Sequence, residues 1–212
     1  MNKQAGFTLI ELAIVLVIIG LLLGGVLRGQ ELINSAKVKN MARDFQNVQV
    51  YVYGYQDKYK ALPGDDHSAV AHVGATANPA NGTQNGVIEG NWNTLVTGDE
   101  SCAFWEHVRR AGLAPGSTTA DCTANNTYQP RNADGGLIGI QSVSVFTAVT
   151  GMSGAYVVCS DGILGKFAKQ LDTTLDDGVG NTGSVRVAIN GTASAGVAAP
   201  VDSTSYMVCM AF

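Results

Sequence analysis

The chain has 212 residues and is 46% hydrophobic, enough for a buried core, but only 14% charged and rich in glycine, with 26 copies, so short apolar segments joined by long turns are expected. Basic residues outnumber acidic ones by seven to four through Lys60, and acidic outnumber basic by thirteen to six from Ala61 onward. That acidic remainder repels a phosphate backbone, so nucleic acid is not an expected partner.

Phe7 to Leu27 is an apolar run interrupted by a single charge, Glu11. At 1.5 Å per residue a helix over it spans about 30 Å, the thickness of a bilayer core. Lys3 and the amino terminus precede it, which keeps that end cytoplasmic and exports the larger remainder. A cleaved secretory signal is disfavoured, because the run is too long for one and no small-x-small site follows it closely. A plain anchor leaves Glu11 unexplained, since a carboxylate inside an apolar helix normally has a partner.

Beyond the run, Val38, Met41, Phe45, Val48, Val52, Tyr55 and Tyr59 recur at steps of three and four, an apolar stripe on an otherwise polar helix. One helix from Phe7 to about Tyr59 is predicted, stopped by Pro63 and Gly64. The stripe is expected to pack on the protein's own sheet rather than form a coiled coil. Tyr51, Tyr53, Tyr55 and Tyr59 read as a half-buried rim.

Gly64 to Gly98 reads as a long loop, and Asp65-Asp66-His67 as a solvated turn within it in preference to a metal site that would need His72 to fold back. Glu100 to Leu113 predicts a short helix using Phe104, Val108 and Ala111. Leu137 to Thr150 and Ala155 to Cys159 predict a hairpin joined at Gly151 to Gly154. Ser184 to Ile189 and Tyr206 to Met210 add two strands, and Ile163 to Leu175 a helix. The fold class is α+β. Cys102, Cys122, Cys159 and Cys209 lack metal-site spacing and read as disulfide partners, with three pairings open.

No catalytic constellation is visible, His67, His72 and His107 stand apart in the sequence, and no enzymatic activity or cofactor is expected. Asp172, Asp176, Asp177 and Asn181 form a calcium candidate, although an acidic helix-to-strand turn explains them as well.

Gly6-Phe7-Thr8-Leu9-Ile10-Glu11-Leu12 resembles the signature of type IV prepilins and the related pseudopilins. The resemblance implies a leader at residues 1–6, cut between Gly6 and Phe7 by a prepilin peptidase, with N-methylation of Phe7. It implies a long helix over residues 7–60, with 7–27 as transmembrane segment and filament core and 28–60 amphipathic, packed on an antiparallel sheet in a head at 61–212. Glu11 would pair with the Phe7 ammonium of a neighbouring subunit, which fixes axial register between two otherwise costly charges. Partners would be identical or related pilin subunits, the peptidase and an inner-membrane assembly platform. The single-pass membrane protein would end in an extracellular pilus serving adhesion, motility or DNA uptake, or in the periplasmic pseudopilus of type II secretion. Arg28 stands where common major pilins carry a kinking proline, and some pseudopilins hold calcium in a C-terminal loop. The competing expectation is a membrane-tethered binding or enzymatic domain that carries the same leader.

Overall fold

The structure is a computed structural model that describes residues 8–75, 78–79, 84–123 and 127–212. It divides into two compact units, Met1–Lys37 and Val38–Phe212. Helix α1, Leu9–Tyr59, begins in the first unit and ends in the second.

Within the first unit α1 is exposed on every side. Leu9, Leu16, Leu21 and Leu32 are each at least 70% exposed, because apolar residues occupy all faces rather than one stripe. From Val38 onward the pattern changes. Val38, Met41, Ala42, Phe45, Val48, Val52 and Tyr55 are buried, at the three- and four-residue steps that keep side chains on one helical face, while Tyr59 is half-buried. Six of the seven stripe residues read from the sequence thus enter the core. Lys60 then takes a positive φ of 54°, an unusual left-handed residue at a helix end, and Pro63 prevents continuation.

In the second unit follow helices α2, Ala69–Val73, and α3, Glu100–Arg110; strands β1, Ile138–Ser142, and β2, Tyr156–Leu164; helix α4, Gly165–Leu175; and strands β3, Val185–Ala188, and β4, Ser205–Ala211. The strands form one antiparallel sheet in the order β1-β2-β4-β3. Side chains alternate across it. Ile138, Ile140, Val158, Val185, Val187, Val208 and Met210 join the α1 stripe, Phe104, Val108, Phe167 and Leu171 in the main core. Val157, Cys159, Ala188, Met207, Cys209 and Ala211 face the other way, onto Trp92, Val149 and Met152. Between Ser160 and Ile163 the β2 register shifts by one residue. Gly162, at φ 70°, takes the left-handed conformation such a bulge needs, and Ile163 returns to the main core.

The fold is α+β, with a long N-terminal helix and a four-stranded antiparallel sheet. Several sequence expectations need correction. The helix read from Ile163 begins at Gly165, because Ile163 and Leu164 belong to β2, and the long loop after Gly64 carries helix α2. The first strand of the predicted hairpin ends at Ser142 rather than Thr150, giving way to a 3-10 turn at Val143–Val145, and its partner extends to Leu164. Tyr55 is not part of a half-buried rim: it is fully buried and donates a 2.7 Å hydrogen bond to Asp66.

The cysteines pair as Cys102–Cys122 and Cys159–Cys209, closing separations of 20 and 50 residues. Cys159 and Cys209 stand directly opposite each other on β2 and β4, so the second bridge ties neighbouring strands at one rung of the ladder.

Candidate assembly site

Thr8 precedes α1, and Glu11 lies in its first turn. The Thr8 N–H and the Thr8 hydroxyl both donate to Glu11 Oε2 at 2.8 Å, and the Glu11 N–H donates to Thr8 Oγ1 at 3.3 Å. This reciprocal arrangement is a capping box, in which side chains satisfy backbone N–H groups that the first helical turn leaves open. Thr8 is therefore a partner of Glu11 that the sequence reading missed. Its signal was there: Thr8-Leu9-Ile10-Glu11 ahead of an apolar run has the required spacing. Gly6 and Phe7, the residues flanking the expected cleavage point, lie outside the described residues.

Behind Glu11, α1 carries an apolar stretch long enough to cross a membrane, and none of that stretch is buried within the protein. Leu9, Ile10, Leu12, Ile14, Val15 and Leu16 are all exposed. A surface that is apolar all round is costly in water and is suited to a non-aqueous environment.

The second unit holds two acidic clusters. Asp65 and Asp66, expected in a solvated turn, are instead fully buried. The turn through Pro63 and Gly64 folds them back onto α3. Gly64 has φ 97°, and a Cβ there would lie 2.7 Å from the Glu100 carbonyl oxygen, so only glycine allows the approach. The Gly64 N–H donates to His107 Nδ1 at 3.0 Å, and burial holds that imidazole down at about 4, hence neutral.

Asp66 accepts from the Tyr55 hydroxyl at 2.7 Å and the Ser68 N–H at 2.9 Å, and its Oδ2 lies 2.7 Å from His72 Nδ1. Burial alone pushes its carboxyl up, but the Tyr55, His72 and Ser68 hydrogen bonds outweigh it and hold Asp66 below the usual carboxylate range. Asp65 points elsewhere. It shares a second cluster with His67 and Glu100, whose ligand-type atoms all lie within 4.8 Å of one another.

The calcium candidate is partly assembled. Carboxylate oxygens of Asp172, Asp176 and Asp177 lie within 4.8 Å of one another at the end of α4, and Asn181 follows in the same loop. Asp176 accepts from the Val185 N–H at 2.9 Å, and Asp177 from the Val179 N–H at 2.8 Å and the Thr182 hydroxyl at 2.6 Å. Asp172 is buried, and among the described residues neither of its oxygens has a hydrogen-bond partner. Burial first, then Asp177 and Asp176, push its carboxyl up to about 6. A buried acid without donors, facing two further carboxylates, fits a hard oxygen-preferring cation.

Residues 1–27 match the family model described as the prokaryotic N-terminal methylation motif. This is the signal motif of type IV pilins and pseudopilins, and the first 27 residues carry it. No curated protein matches the chain. Nor does any solved structure.

Proposed function

We propose that the protein is a structural subunit of a type IV pilus or pilus-like filament, cleaved between Gly6 and Phe7, N-methylated on Phe7 and polymerised through α1. The observation that carries this reading is the methylation motif standing directly ahead of a helix that is apolar and exposed on every face. The motif implies a prepilin peptidase and other pilin subunits as partners. Before assembly, lipid covers the apolar half of α1; in the filament, neighbouring helices replace it by van der Waals packing. The second unit is then carried outside the cytoplasm. Its role is polymerisation rather than catalysis.

Glu11 changes partners along this route. In the single chain its carboxylate caps its own helix through Thr8. In the filament, a neighbouring Phe7 ammonium supplies a full positive charge, which a buried carboxylate prefers to a neutral donor.

A second reading, a pseudopilin of a type II secretion system, is favoured by the carboxylate cluster of buried Asp172 with exposed Asp176 and Asp177, since a C-terminal calcium loop is a feature of some pseudopilins.

The test is mass spectrometry of sheared surface filaments and of the cell envelope, searching for the peptide that begins at N-methylated Phe7. Abundant processed chain in the sheared fraction supports the pilus. Processed chain confined to the envelope supports the pseudopilin. A chain beginning at Met1 in every fraction refutes both, and a tethered binding or enzymatic domain becomes the reading to pursue.

A further inference from the structure

Asp65, His67 and Glu100 come from the turn after α1 and the first residue of α3, 35 positions apart at the extremes, yet they converge on one point. Asp65 and Glu100 are fully buried. Each carboxylate is held by one oxygen and presents the other. Asp65 Oδ2 accepts from the Gly86 N–H at 2.7 Å, and Glu100 Oε2 accepts from the Glu89 N–H at 2.8 Å. Among the described residues the opposite oxygens, Asp65 Oδ1 and Glu100 Oε1, have no hydrogen-bond partner, and neither does His67 Nε2. His67 Nε2 lies 3.9 Å from Asp65 Oδ1, too far for a hydrogen bond.

Three orphaned buried ligand atoms in one place are costly for a folded protein, because each has lost water without gaining a partner. Two carboxylates and one imidazole thus face the same point.

We propose that Asp65, His67 and Glu100 bind one divalent transition-metal cation of the zinc type. Imidazole nitrogen and carboxylate oxygen are both zinc ligands, with bonds of about 2.0–2.2 Å that small side-chain rotations would close from the present spacing, and three protein ligands leave a fourth position for water. The imidazole argues against calcium, which takes oxygen ligands. The backbone N–H groups of Gly86 and Glu89 orient the carboxylates, as hydrogen bonds to the far oxygen of metal ligands commonly do. His67 keeps about a fifth of its side chain exposed, so the cluster lies just beneath the surface. The bound ion clips the end of α1 to the start of α3, beside the Cys102–Cys122 bridge. This site is independent of the filament reading and of the Asp172 cluster.

The test uses the full chain in detergent, stripped with chelator, and Zn²⁺ alone as probe. Isothermal titration should show one zinc per chain absent from His67→Ala, and thermal melts should rise by roughly 5–10 °C at a hundredfold excess over Kd. Glu100→Gln keeps size and burial and should weaken zinc binding by more than about 100-fold. Asp172→Asn should leave zinc binding unchanged. No free cysteine is present to compete. The proposal is overturned if zinc fails to bind, if His67→Ala binds it as tightly as the parent chain, or if calcium binds this cluster equally well with His67 absent.

Discussion

At the residue scale, Glu11 carries two roles that one substitution can separate. Glutamine retains the acceptor a capping box needs but not the charge, whereas alanine removes both. Glu11→Gln should therefore leave α1 capped and leader cleavage intact, yet fail to support filament assembly as Glu11→Ala does. Filament yield from sheared cells, measured beside leader processing, checks this; normal yield from Glu11→Gln would show that capping, not charge pairing, is what assembly needs. Asp172 offers a pH test. Its folded pKa of about 6 lies above the unfolded value near 3.8, so the folded state binds more protons between them. The associated stability is complete below about pH 4 and is lost as pH rises through 6. Without metal, Asp172→Asn should stabilise the protein by roughly 1–2 kcal/mol at pH 7 and by little at pH 4, as read from denaturant melts. Added calcium should raise the melting temperature of the parent chain and not that of the variant.

At the element scale, the buried stripe of α1 holds helix and sheet together. Phe45 is 1% exposed in the main core, so Phe45→Ala should cost about 3–5 kcal/mol in chemical denaturation. Serine at both Cys159 and Cys209 removes a bridge closing 50 residues and should cost about 4 kcal/mol on the chain-entropy picture; serine at Cys102 and Cys122, closing 20, should cost about 3. Helix α1 was legible because its periodicity is long and its stop signals are strong. The end of β1 was not. Residues after Ser142 stay rich in strand-favouring types, Val143, Val145, Phe146, Thr147 and Val149, but such composition reports fitness for a half-buried surface rather than pairing. In the structure Phe146 and Ala148 pack on the second core cluster from a loop. The Asp172 cluster was legible because its carboxylates fall within one turn of chain. The Asp65, His67 and Glu100 cluster was not, since no local pattern links Glu100 to a turn 35 residues earlier.

At the scale of the whole molecule, the two units make separate demands on solvent. Burial on α1 begins at Val38, so a chain starting there loses the exposed apolar surface and keeps every buried stripe residue. Residues 38–212 should be monomeric without detergent and melt within a few degrees of the full chain, as size-exclusion chromatography and circular dichroism would show. Aggregation or a collapsed melting temperature would mean that the first unit supports the core of the second.

The strand order also sets a timetable. β4 lies between β2 and β3 and is the element that joins them, so the sheet has no continuous middle until Ser205–Ala211 arrives. Nothing made earlier can substitute for it. Synthesis must deliver residue 211 before the second unit can complete its sheet. Until then β2 and β3 lack the strand that joins them, a window in which chaperones and proteases would decide the yield of folded chain.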